Sequence, residues 1–338
     1  MDNNKHSIHR VMKTGISRRA AGKDNDINYA NVYLTFVPLE DATFTFTQRG
    51  TGSLYYSIDG AAWVECQSGV ATPTVQVGSE IRWKGNLSPL TSASTSANNG
   101  LGVFSATGDF DAKGNPLSLT DSDLFVGVRE IPKSNYCIAS LFNGNTNLVN
   151  AENLSLCCIK TRQNCYYAMF AGCTSLLTPP AINTGDAVYQ SFMSMFSGCT
   201  SLEYGPNLTS IKTFAQSAVR AMFNNCTSMR TINFNFPESE NMSTYSFYQM
   251  FRNCSNLELS PVLPAKTLKT GCYYQMFYGC SKINRITCLA TDISASNCTN
   301  GWVNGVSASG TFVKAATMTD WTTGTNGIPT GWTVINQS

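Results

Sequence analysis

Two glutamates and an arginine are the residues of this 338-residue chain whose types and spacing come closest to chemistry. Glu203, Arg230 and Glu258 each follow the apolar residue that closes one repeated phrase, and on stacked strands these positions form a column with Leu177 and Asn284. Two strands apart, Glu203 and Glu258 are expected about 9.6 Å from each other. That is near the upper limit, about 9.5 Å, for the carboxyl pair of an inverting glycosidase. Arg230 stands between them, however, and a Glu-Arg-Glu ladder also reads as a plain cross-strand charge network. Nothing in the sequence raises a carboxylate toward the pKa of a general acid, so the network is preferred and no catalytic residue is assigned. The same side of the strands, with Glu203, Arg230, Glu258 and Arg285, is the expected binding surface.

Other chemistry is sparse. The two histidines, His6 and His9, both lie near the N-terminus, so a His-based dyad or triad in the folded part would have to reach back to them. No G-x-S-x-G, P-loop or dinucleotide fingerprint is present. His6-x-x-His9 has tolerable spacing for a metal pair, but two ligands make a weak signal. The chain has thirteen cysteines and no C-x-x-C pair, so neither a zinc site nor any cofactor is expected.

The element that must position the column is the repeated phrase itself, Met-Phe-x-x-Cys-x-x-Leu. It begins at Met169, Met195, Met222, Met250 and Met276, at intervals of 26, 27, 28 and 26 residues, with cysteines at Cys173, Cys199, Cys226, Cys254 and Cys280. A worn copy, Leu141-Phe142-x-x-Asn145-x-x-Leu148, precedes them. A fixed period of this size is the signature of a solenoid, because one short unit must stack on neighbours to bury its apolar face. Within each unit, residues such as Tyr166, Met169, Phe170 and Cys173 are spaced i, i+3, i+4, i+7, which predicts a short helix. A Gly or Asn before the cysteine predicts the helix end, and an extended stretch follows, often closed by proline (Pro180, Pro206, Pro237, Pro261). Each unit therefore reads as short helix, turn, short strand. Helices need about 8–10 Å between axes and strands about 4.8 Å, so the stack is expected to bend with its strands inside. The same helical spacing argues against disulfides between the ladder cysteines, which read as buried thiols; Cys157, Cys158 and Cys165 are expected closer to one another.

Charged residues are only 13% of the chain and the net charge is +2. Residues 1–28 form a basic polar arm: Lys5, Arg10, Lys13, Arg18, Arg19 and Lys23 face one acid, Asp2, in the first 23 residues. Its expected role is a tether to a larger assembly through an acidic protein surface; nucleic acid is not expected, since the body is not basic. No run of 18 apolar residues exists, so no membrane span is expected, and no secretory h-region is visible in the first 30 residues. Residues 29–130 alternate in strand fashion and predict a β-sandwich. Leu54–Ile58 and Ala62–Cys66 flank an Asp59-Gly60 hairpin, and Thr74–Val77 and Glu80–Lys84 flank a second glycine turn. Trp63 and Trp83 are expected in packing. Residues 131–301 are the solenoid, and residues 302–338 its closing segment.

The Met-Phe-x-x-Cys-x-x-Leu units resemble the BspA-like leucine-rich repeats found in Bacteroides-type gut bacteria and their crAss-like phages. Tyr56-Ser57-Ile58-Asp59-Gly60-Ala61-Ala62-Trp63 and Gly78-Ser79-Glu80-Ile81-Arg82-Trp83-Lys84-Gly85-Asn86 are similar to the β-domain that precedes such repeats. Gly327-Ile328-Pro329-Thr330-Gly331-Trp332-Thr333-Val334 is similar to their closing segment. The resemblance covers residues 31–338. It implies an all-β sandwich followed by a leucine-rich-repeat solenoid of short helix plus short strand, in a non-enzymatic adhesion or virion protein. Because bacterial members usually carry a secretion signal, the expectation is a phage structural protein: a head fibre or capsid decoration, located on the virion. The alternatives are a tail-fibre adhesin or an exported adhesin at a bacterial cell surface. The partners so implied are a capsid or other virion protein for the arm, a host-surface glycan or protein for the solenoid, and further copies of the chain.

Overall fold

A computed structural model describes residues 28–92, 98–122, 124–126, 134–156, 161–232 and 234–337. Residues 1–27 of the arm, with both histidines, lie outside these residues, as do Cys157 and Cys158. The described chain is all-β, with short 3-10 turns such as Pro116–Leu119 as its helical content.

The N-terminal unit has two sheets. The strands are β1 (Leu34–Pro38), β2 (Phe44–Gln48), β3 (Leu54–Ile58), β4 (Val64–Glu65), β5 (Ile81–Gly85), β6 (Gly102–Ala106), β7 (Phe110–Lys113) and β8 (Leu148–Asn150). One sheet runs β4-β3-β5-β1-β7-β8 and the other is β2-β6. Phe36 meets Phe44, Phe104 and Phe110 at ring-centroid distances of 5.3, 4.9 and 4.9 Å, with Trp83 fully buried beside them. The Asp59-Gly60 turn forms as expected, both residues at positive φ and β3 paired antiparallel to β4. The second hairpin does not form. Residues 76–79 do turn, but β5 is already paired on both edges, to β1 and β3, and Val75 bridges Ala42 instead. Because β7 pairs in parallel with β8, the first sheet runs on into the solenoid.

The solenoid makes about six coils. Its remaining strands, β9 (Asp186–Ala187), β10 (Thr213–Phe214), β11 (Leu259–Leu263), β12 (Arg285–Cys288), β13 (Thr311–Ala315) and β14 (Thr333–Gln337), pair only in parallel. The helix expected in each unit is absent. The segment is a row of tight turns with a period of four. Cys165, Tyr167, Met169, Ala171 and Cys173 each donate their N–H to the carbonyl three residues back. The residues between them, Asn164, Tyr166, Ala168, Phe170 and Gly172, donate instead to the next coil, for example Phe170 N to Met195 O at 2.9 Å. Every fourth residue has positive φ: Asn164, Ala168 and Gly172 in one coil, Gln190, Ser194 and Gly198 in the next. Pairs of residues then point inward (Cys165 and Tyr166, Met169 and Phe170) and pairs point outward. A period of four satisfies i, i+3, i+4, i+7 as well as a helix does, which is why the spacing alone misleads.

Without helices, the reason for the expected bend is gone. The rings of Phe142, Phe170, Phe196, Phe223 and Phe251 stack nearly parallel, with centroids 5.6, 5.3, 5.7 and 5.8 Å apart. The turn side thus advances by little more than a strand spacing of about 4.8 Å, and the wedge that packed helices would supply is missing.

One substitution separates the two geometries. Ser194 sits at φ 58° on the outward part of a turn. Ser194→Gly is therefore expected to leave the melting temperature unchanged or to raise it, since glycine relieves a strained φ. In a helix the same change would cost up to about 0.5 kcal/mol; a clear drop on thermal unfolding would restore the helical reading.

The ladder cysteines are buried and free. The coils lie closer than packed helices would, so distance alone does not forbid disulfides; the thiols are otherwise engaged. Cys173, Cys199, Cys226, Cys254 and Cys280 each donate Sγ–H to the carbonyl of the phenylalanine one coil back, at 3.0, 3.1, 3.0, 3.1 and 2.9 Å. In the worn copy Asn145 Nδ2–H does the same to Phe104 O at 3.1 Å, so it replaces the cysteine in function. At the far end Trp302 and Trp321 stack at 5.6 Å and Trp302 Nε1–H donates to Gly327 O, closing the core.

Candidate functional site

The strand side carries the charged column, and the coils place its members unequally. Arg230 N donates to Glu203 O at 2.9 Å, so these two are neighbours in adjacent coils, and Arg230 Nε lies 3.6 Å from Glu203 Oε2. Both side chains are more than half exposed, at 58% and 51%, so the pair contributes under about 1 kcal/mol. Glu258 is exposed and aligns with Asn284, whose N–H it accepts at 3.3 Å. Arg285 falls one column over, opposite Leu259. Among the described residues no ion pair joins Arg230 to Glu258, so the expected Glu-Arg-Glu network is half formed.

A groove of about 530 Å³ opens beside Glu203. Pro179, Pro180 and Pro206 form its walls, Tyr204 projects at 57% exposure, and Glu152 stands with Glu203 on its polar side. The repeat geometry explains the arrangement. Tyr204 follows Glu203, bridges in parallel to Thr231, and Gly205 N donates to Thr231 O. The prolines hold φ and lack an N–H, so they end strand pairing and leave the walls rigid. Such a surface offers an apolar ring face and two carboxylate acceptors in one hollow. Arg230, Glu258 and Arg285 do not line it.

Sequence reasoning placed Glu203 on this side but missed Glu152, Tyr204 and the groove. The signal was present: the strand-closing prolines Pro180 and Pro206 recur 26 residues apart, with an aromatic residue two positions before the second. Among the described residues no group of three His, Cys, Asp or Glu is arranged to hold a metal ion, and no helix is long and apolar enough to cross a membrane. No family model, curated protein or solved structure matches the chain.

Proposed function

We propose that this chain is a phage virion appendage, a head fibre or capsid decoration related to BspA-like repeat proteins. Its N-terminal arm attaches it to a capsid or other virion protein, and its solenoid displays a non-catalytic adhesion surface to the host. The observation that carries the adhesion reading is the open groove at Tyr204 with Glu152 and Glu203. An exposed aromatic ring supplies a stacking face, and carboxylates accept hydrogen bonds from sugar hydroxyls. Of the surface expected from sequence, Glu203, Arg230, Glu258 and Arg285, only Glu203 lines this groove.

The thiols favour assembly in a cell over export. The eleven described cysteines are all free and buried, and unpaired thiols of that density belong to chains that fold in a reducing compartment. An exported cell-surface adhesin folds in an oxidising one; a virion part, whether of head or tail, is made in the host cytoplasm.

A shallow site of this kind binds weakly, and many copies on one particle raise avidity by roughly 10²–10⁴. The purified chain is expected to bind host cells only when displayed on a multivalent bead, to lose that binding on Tyr204→Ala, and to release no reducing sugar. Binding that survives Tyr204→Ala moves the site elsewhere, and reducing ends that accumulate with time make the chain a hydrolase.

A further inference from the structure

The groove at Tyr204 continues past Glu152. A second hollow, of about 410 Å³, shares Glu152 and Ala181 with it and is lined on its far side by Asn28, Tyr29 and Ala30. That is where the basic arm joins the fold. The junction is held in place: Asn28 Oδ1 accepts from Ala30 N at 3.2 Å, and Asn115 Nδ2 donates to Ala30 O at 2.9 Å.

Three observations name an occupant. The 27 residues before Asn28 carry six Lys and Arg against three Asp, while the charged groups lining the two hollows are Glu152 and Glu203. The arm starts at one end of the hollows, so an extended chain at about 3.3 Å per residue brings Lys23 within about 17 Å of its anchor and Arg18 within about 33 Å. A tethered segment also faces its site at an effective concentration in the millimolar range, so modest contacts suffice.

We propose that the arm of the same chain docks across the two hollows, with Arg18, Arg19 and Lys23 against Glu152 and Glu203. This inference rests on the groove and on charge, and stands whether or not the outer ligand is a host glycan.

The test uses the full chain. A carbodiimide, which condenses an amine with a carboxylate, is applied to a mixture of ¹⁴N- and ¹⁵N-labelled protein at low salt, and the cross-links are mapped by mass spectrometry. Links from Lys13 or Lys23 to Glu152 or Glu203 within one isotopic species are expected. Links between the two isotopic species would show a second copy's arm in the groove, and links spread over Glu65, Glu238 and Glu258 would show no docking; either overturns the proposal. Trypsin gives a second reading. Cleavage after Arg18, Arg19 and Lys23 is expected to be about tenfold slower in the natural chain than in the Glu152→Lys, Glu203→Lys double variant, with equal melting temperatures. That ratio corresponds to about 1.4 kcal/mol of docking, and salt should abolish it. Equal cleavage rates in the two chains would overturn the proposal.

Discussion

Raising the pH of the purified chain above about 9 will unfold it cooperatively, and the unfolding will be steep in pH. Burial pushes the Cys226 thiol up to about 12 from an ordinary value of 9.0, and Cys173, Cys199, Cys254 and Cys280 are raised by the same cause. A thiol that holds its proton more tightly folded than unfolded stabilises the fold fully below pH 9. That contribution is lost as pH climbs toward 12, because the unfolded chain ionises first. Each such thiol contributes a slope of about 1.4 kcal/mol per pH unit. The five ladder thiols together approach roughly 7 kcal/mol per unit, against a net stability of about 5–15 kcal/mol for an ordinary domain. Circular dichroism should show the transition one to two units above pH 9, and thiol reagents should label the ladder only through it. In denaturant titrations at pH 9.5–10.5, replacing Cys199 and Cys226 by Ala should reduce the slope of stability against pH by about 2.8 kcal/mol per unit. An unchanged slope, or native labelling at pH 8, would disprove the buried ladder.

Phe223→Ala is the single substitution expected to cost most. Its ring lies between those of Phe196 and Phe251, at 5.7 and 5.8 Å, and is fully buried. Truncating a buried phenylalanine costs about 3–5 kcal/mol, and here the cavity interrupts a column on both sides. Cys226→Ser should cost far less, on the order of 1 kcal/mol, because the hydroxyl inherits the acceptor at Phe196 O. Urea unfolding of the three chains checks the ranking. A serine variant as damaged as the alanine one would mean that the thiol hydrogen bond carries no weight.

The period of the coils, their parallel stacking and the burial of Met, Phe and Cys were legible because all three follow from one repeated apolar pattern. The local conformation was not. Tyr166, Met169, Phe170 and Cys173 lie on one face of a helix and equally on one face of a four-residue turn. The residues that decide between them are those at the left-handed turn positions, Ala168, Ser194, Ala221, Gln249 and Gln275, whose positive φ no side-chain type announces. The strict Gly or Asn at 172, 198, 225, 253 and 279 did mark a left-handed position, but it belongs to the turn row and not to a helix end. The groove was hidden for a different reason: Glu152 and Glu203 sit two coils apart, and their convergence depends on how far each coil advances. Asn145 looked like decay of the motif until its side chain was seen donating to Phe104 O.

The hydrogen bonds of the turn row give the stack a direction. Phe142, Phe170, Phe196, Phe223, Phe251 and Phe277 all donate their N–H toward the C-terminal neighbour, so peptide dipoles align along the solenoid axis much as they do along a helix. The two ends are consequently of opposite character, with bare carbonyls at the first coil and bare N–H groups at the last. Each finds its complement: Leu141 O accepts from Phe104 N of β6, while Val303 N and Gly301 N donate to Thr325 O and Asn326 Oδ1. The β-domain and the closing segment are therefore not interchangeable. A coil added or removed between them keeps the polarity of the turn row, whereas a stack built in the reverse order would present acceptor to acceptor and donor to donor.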